Sequence, residues 1–421
     1  MAYTDTVPSL ANVDIYDSEL LQNPFPFLER LRTEAPVLRH ADSGIYQISS
    51  YDLASKAAMD YQTFSSDISH ALHGKSVASD RVRAVMAEGY PRPQTLHTAD
   101  PPFHTRSRKL VDKAFTPKRV AEMVPQIVAV VDDLIDSFAA RGSVEFVSEF
   151  AQRLPMAIIA TQLGVPLEDR EKFLTWIDAF AAQFSHKAGE DGEVEAARHV
   201  VAFQKYFAEM LEEKRARPTD DIISVIANAT LAEEGDDRPL EVPEALQIIQ
   251  QLLAAGNETT VASMAEGMRL FLQQPGTVEA LASSPEVLSR GVEEVLRLLS
   301  PVQNMWRVAT RDVELGGVMI PEGALVLVRF GSANRDATIF ANGESFDLDR
   351  ANGRRHVAFG YGIHACIGAA LARKELNIGF QRLFERIKGW RIAPHADLTY
   401  NSSILLRGLR RLDLEFDPVR T

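Results

Sequence analysis

The chain holds one cysteine, Cys366, inside the run His356 to Arg373, HVAFGYGIHACIGAALAR. Glycines at 360 and 362 precede it and another at 368 follows. Glycine reaches φ > 0 and lets a flat group approach the backbone, so this run predicts a chain folded tightly around one sulfur. An extended segment ending at Phe359 would turn through Gly360 and Gly362 and present Cys366 just before a helix that begins near Ile367 or Gly368. The unpaired N–H groups and positive dipole end of a helix N-terminus stabilise a thiolate. This suits an axial ligand to haem iron, where a thiolate pushes electron density onto the metal and favours O–O cleavage. By residue type alone a lone cysteine reads as a small buried hydrophobe. The glycine frame turns the reading towards the ligand.

A chain of 421 residues that is 46% hydrophobic has material for a large core. No apolar run approaches the roughly 18 residues of a membrane span. The opening residues MAYTDTVPSL lack the layout of a signal peptide, and one cysteine excludes an internal disulfide, so a soluble cytoplasmic protein is expected. A formal charge of −13 argues against nucleic acid. The charge is uneven: Arg106, Arg108, Lys109, Lys113, Lys118 and Arg119 face one acid, Asp112, within that stretch, and Arg354 and Arg355 lie upstream of the cysteine. Such runs are solvated helix faces or a patch that steers an acidic partner.

Periodicity predicts a helix in PFPFLERLRTEAP, short strands in VLRH and IYQISS, a loop-rich stretch over 66–98, and helices for most of 200 residues from His104. Breaks are expected near Gly142, Gly164 to Pro166, and Ala188 to Gly192, and a polar surface loop over Ala232 to Pro243. Pro243 to Gln274 reads as one helix of about 32 residues, roughly 48 Å long. Its apolar sides send it through the interior. A helix over Pro285 to Ser300 follows, then a hairpin in VELGGVMI and strands in ALVLVRF and LRRLDLEF. The fold class is mainly α, α+β.

Within the long helix, Gly256 costs about 1 kcal/mol relative to alanine. Thr259 can bond a carbonyl one turn back, opening the ladder near Gly256 and leaving room for dioxygen or water, with Glu258 as a proton relay. A back-bonded threonine beside a surface acid is the plainer alternative. Glu294 and Arg297 form an E-x-x-R pair that is by itself a routine surface ion pair. His104 and Arg108 share a helix face. Phe173, Trp176, Phe180 and Phe184 recur at helical spacing, which marks a core stripe or a pocket wall. Arg92, His97 and Gln303 are candidates to anchor a polar substrate group.

The run Phe359, Gly360, Tyr361, Gly362, Ile363, His364, Ala365, Cys366, Ile367, Gly368, followed by Leu371, Ala372 and Arg373, resembles the haem-binding loop of the cytochromes P450. The resemblance extends from near Pro24 to the C-terminal strands. It implies a triangular helical prism with small β-sheets and a buried haem, a single domain over 1–421 with a small β-rich portion to about residue 65, a helical core over about 100–310, and a haem-loop portion from about 311. Cys366 would be the axial ligand of haem b, iron protoporphyrin IX, with Phe359, Gly360 and Gly368 around it and Ala255 and Gly256 against the ring. Ala255 to Thr260 is similar to the family's oxygen-activation motif, which makes Thr259 and Glu258 the proton-delivering pair, Glu258 being the less common acid there. His104, Arg108, Arg307 and His364 match the propionate contacts, and Glu294, Arg297 and Arg350 match the brace of the haem loop.

By the same resemblance Phe180, Phe184, Leu252, Val302, Met305 and Ile404 are pocket candidates, and Arg106, Lys109, Lys113 and Arg354 would dock a redox partner. The implied activity is insertion of one oxygen atom of O2 into a small to medium apolar substrate. Its electrons would come from NAD(P)H through a ferredoxin reductase and a ferredoxin. Two other readings stay open: a peroxide-driven peroxygenase, whose relatives lose the acid and threonine kept here, and a non-catalytic haem protein.

Overall fold

Side chains along a strand alternate between two faces, and Leu325–Val328 sits where both faces are apolar. Val326 and Val328 pack with Val37, Ile48, Phe64 and Phe330 on one side, while Leu327 packs with Phe27, Leu28, Leu31 and Ile45 on the other. This strand, β8, lies in a five-stranded sheet of order β1-β2-β8-β5-β3. Its partners are β1 (Val37–Arg39), β2 (Tyr46–Ile48), β5 (Met305–Ala309) and β3 (Phe64–Ser65). β2 and β8 run parallel; the other pairs are antiparallel. A hairpin of β6 (Val313–Leu315) and β7 (Val318–Ile320) turns at Gly316 and Gly317, both at positive φ, as two-residue hairpins require.

The computed structural model of the protein describes residues 9–69, 78–166, 169, 172–173, 175–177, 179–180, 189–231, 235 and 237–419. It divides into two compact units: Met1–Ala71 with Ala265–Cys366 and Asp397–Leu412, and Leu72–Met264 with Ile367–Ala396 and Asp413–Thr421. The first unit carries the five-stranded sheet, the hairpin and the helices Phe25–Glu34, Tyr51–Met59 and Pro285–Leu299. The last of these is capped by Ser284, whose side chain accepts from Val287 N–H, and it stops where Ser300 turns left-handed.

The second unit is helical around Phe173, Trp176, Phe203 and Phe207, with Ile222, Leu246 and Leu253. The long helix runs Val242–Gln273 without interruption through Gly256. The break expected near Gly142 is present, and it leads into a strand, β4 (Ser143–Glu145), that pairs with β10 (Asp413–Glu415), which also pairs with β9 (Arg391–Ile392); the partners are far apart in sequence, so no local pattern marks the strand. Two other expectations need correction. Asp80–Met86 is a helix capped by Ser79 inside the stretch expected as loop. Gly192 lies within a helix, Gly189–Ala216, rather than in a break. Residues 232–234 and 236 of the expected polar loop lie outside the described residues, and Val242 and Pro243 open the long helix. Among the described residues no helix is long and apolar enough to cross a membrane.

Candidate active site

Two glycines set the path of the cysteine loop. Gly360 and Gly362 have φ of 72° and 71°, and a Cβ on Gly362 would stand 2.7 Å from the Ala58 carbonyl oxygen, which is backbone and cannot yield. Gly360 N–H donates to Val357 O at 2.9 Å, so a turn replaces the extended segment expected before Phe359. Cys366 N–H then donates to Phe359 O at 2.8 Å and closes the loop. The cysteine is exposed. The helix after it begins at Ala369 with Gly368 as N-cap at φ −83°, an angle open to any residue. In the same unit His364 Nε2 lies 2.9 Å from Ser66 Oγ. Arg307, buried on β5, donates from Nη1 to Trp306 O at 2.7 Å.

The loop's base is braced. Arg297 forms a two-pronged pair with Glu294 (Nε to Oε2 2.8 Å, Nη2 to Oε1 2.7 Å), and Arg350 Nε donates to Glu294 Oε1 at 2.9 Å. The side chains of Arg297 and Glu294 are 0% and 1% exposed. Such desolvated charges are tolerated only when every donor is engaged. Arg297 also donates to the carbonyls of Asn334, Gly343 and Ser345. Asn334, which the sequence did not flag, accepts from Val357 N–H at 2.6 Å and donates to Ser300 Oγ at 2.7 Å. It thereby ties the brace to the first residue of the loop's turn. What was a routine pair by spacing is a buried network because segments far apart in the chain bring carbonyls to it.

In the second unit, Leu253 and Met264 are fully buried in the long helix, yet Ala255 and Gly256 are exposed in mid-helix. A Cβ on Gly256 would meet nothing within 4 Å. Thr259 Oγ1 donates to Ala255 O at 2.8 Å, the back-bond its spacing predicts, and Ser263 Oγ repeats the pattern to Thr259 O at 2.7 Å. Glu258 is half-buried. His104 is buried, and burial first and the Arg108 charge second push its imidazole below its usual range. Arg108 Nε donates to Asp112 Oδ1 at 2.9 Å.

These features fit a flat iron porphyrin. Within the first unit these are an exposed sulfur on a glycine-framed loop; within the second, taken by itself, they are a helix surface bared at Ala255 and Gly256, where a Cβ on Gly256 would meet nothing within 4 Å. Arg307, Arg108, His104 and His364 are residue types that pair with its carboxylates.

The segments that carry the pocket candidates Val302, Met305 and Ile404 lie side by side in the first unit. Gln303 N–H donates to Leu405 O at 2.7 Å, Arg407 N–H donates to Pro301 O at 2.9 Å, and Asn304 Nδ2 donates to Ile404 O. Val302, Met305 and Ile404 are half-buried there. Gln303 does not anchor a ligand: its Nε2 donates to Leu299 O and Ser300 O and closes the end of the preceding helix. Phe180 is a core residue instead of a pocket wall, edge-on to Phe203 at 5.0 Å, and Leu252 belongs to the same core. Phe184 lies outside the described residues. Of the basic candidates, Arg106 donates to Arg238 O at 2.7 Å and Lys113 to Thr230 O at 2.9 Å, while Lys109 and Arg354 are exposed.

A family model described as cytochrome P450 matches residues 283–392. Cytochrome P450 107B1 of Saccharopolyspora erythraea is 40% identical over 330 residues, 78% of this chain and 77% of its own. A vitamin D(3) 25-hydroxylase of Pseudonocardia autotrophica is 34% identical over 96% of both chains. The solved structure of cytochrome P450 CYP109Q5 from Chondromyces apiculatus superposes with a TM-score of 0.86 at 31% identity, covering 98% of this chain and 100% of that one.

Proposed function

The chain belongs to the cytochrome P450 family, the haem monooxygenases, and on that premise we propose that it inserts one oxygen atom of O2 into an apolar organic substrate, using two electrons from a ferredoxin. The observation that carries the reading is Cys366, exposed on a glycine-framed loop whose base is held by a buried ionic brace. Cys366 would ligate the iron. Arg307 and His364 in the first unit and His104 and Arg108 in the second would serve the two propionates. When bound, the haem supplies dioxygen binding and O–O cleavage, with the thiolate favouring the latter.

The chain's own residues supply orientation and protons. Thr259 gives its hydroxyl proton to the Ala255 carbonyl, which leaves its oxygen lone pairs free to accept from a water molecule. Glu258, half-buried beside it, would pass protons inward from solvent. Val302, Met305 and Ile404 would present an apolar wall to the substrate. The relative named for vitamin D(3) supports an apolar ring system as the substrate class. Electrons would originate on NAD(P)H and pass through a ferredoxin reductase.

The test is the absorption spectrum of the purified protein, reduced and exposed to carbon monoxide, then of the ferric protein with terpenes and steroids. A strongly red-shifted Soret band is expected, as is a high-spin shift with ring compounds. A band at the histidine-ligated position would remove Cys366 as ligand. A spin state indifferent to every apolar compound would remove the substrate class.

A further inference from the structure

Ten residues before the cysteine, His356 is buried with both ring nitrogens bonded. A backbone N–H can only donate, so the 3.2 Å bond from Ala358 N to His356 Nδ1 leaves that nitrogen without a proton and places the proton on Nε2. Nε2 in turn donates to Glu293 Oε2 at 3.0 Å. The two side chains are 1% and 4% exposed. The ring lies against Phe359, centroids 5.9 Å apart, and Phe359 O is the acceptor of Cys366 N–H. A line of contacts therefore runs from Glu293 through His356 and the Val357–Gly360 turn to the backbone of Cys366. It is distinct from the neighbouring brace at Glu294, Arg297 and Arg350, which reaches the loop through Asn334 and Val357 N–H.

We propose that His356, held in one tautomer by Glu293, is a positioning residue that fixes the backbone presenting the Cys366 thiolate. One nitrogen holds the turn and the other ties that turn to the helix Pro285–Leu299. A neutral imidazole is the side chain that accepts on one side and donates on the other across this span. The arrangement parallels what orienting partners do for metal ligands, where loss of the partner loosens the ligand without removing it. The proposal rests on Cys366 being the haem ligand, as proposed above.

Three variants separate the two bonds. His356→Asn keeps an acceptor near the Nδ1 position but offers no donor to Glu293; His356→Gln does the reverse; Glu293→Gln keeps the acceptor and removes its charge. The measurement follows the reduced, carbon monoxide-bound holoprotein as its red-shifted thiolate Soret band converts to the band of a protonated-thiol ligand. Both His356 variants are expected to convert about tenfold faster than wild type, with Glu293→Gln intermediate. Phe138→Leu, a core change in the second unit, is the control for general destabilisation and should convert at the wild-type rate. Wild-type rates in both His356 variants, or equally fast conversion in the control, would overturn the proposal. If neither His356 variant takes up haem, Glu293→Gln decides alone: conversion faster than wild type supports it, while a wild-type rate or failure to take up haem overturns it. A wild-type protein that never shows the red-shifted band fails the haem-thiolate reading itself.

Discussion

A carboxyl group taken out of water holds its proton, because burial penalises the charged form. Glu375, 3% exposed in the helix Ala369–Arg386, is pushed from the ordinary 4.5 up to about 8, with burial as the only cause. Below the ordinary value the folded and unfolded chains both keep this proton. As pH rises from there the unfolded chain releases it while the folded chain retains it, so stability falls until about 8, where the folded group ionises as well. The loss over that window is on the order of 5 kcal/mol. Glu375→Gln removes it. The variant's advantage in urea unfolding should be small near about pH 5 and large near about pH 8; parallel stability curves would mean that Glu375 ionises as freely in the fold as out of it. The sequence did not single out Glu375, because a glutamate within the first two turns of a helix reads as a surface residue until packing covers it.

Strands and helices differ in how they hold buried charge. On the helix Pro285–Leu299, the Glu294 carboxylate accepts from Arg297 and from Arg350, and backbone carbonyls accept further N–H groups of both arginines. The sheet strands instead give Arg329 two neutral amides: Nε donates to Gln47 Oε1 at 3.0 Å and Nη1 to Asn304 Oδ1 at 3.3 Å. Burial pushes the Arg329 guanidinium down to about 9. Replacing a whole buried polar set by apolar residues is often neutral or stabilising, whereas removing one partner strands the others. Arg329→Met alone leaves the Gln47 and Asn304 oxygens unsatisfied and should destabilise by about 1–3 kcal/mol, part of which Gln47→Leu in the same chain should restore. Urea midpoints of the two proteins check this, and a double variant less stable than the single would show that Gln47 has another role. The hairpin at Gly316 and Gly317 was legible because its turn chemistry is local. The pairing of Ser143–Glu145 with Asp413–Glu415 was not, because it joins segments far apart in the chain.

At the scale of the whole molecule, a net charge of −13 repels an acidic electron carrier, so docking of the proposed ferredoxin would rest on local positive charge. The side chain of Arg106 is 13% exposed and committed to carbonyls at 238 and 239, whereas Lys109 and Arg354 reach solvent. Reduction by an acidic ferredoxin should therefore slow as ionic strength rises towards about 0.15 M, where the Debye length is about 8 Å. Lys109→Gln and Arg354→Gln should each flatten that dependence, and Arg106→Gln should act mainly on stability. Stopped-flow reduction across salt concentrations measures it; unchanged slopes in both exposed variants would place docking elsewhere.

The sequence by itself determined the cysteine loop, the E-x-x-R helix, the long helix with its back-bonded threonine and the family resemblance, since each depends on residues close in the chain, where glycine angles and helical spacing act directly. Only the tertiary structure decided that Phe180 belongs to the core, that Gln303 closes a helix, that Asn334 joins the brace to the loop, and that His356 meets Glu293. Those outcomes turn on which distant segments come to share a space. Burial and partners set the role of a polar side chain, and neither is written in its neighbours along the chain.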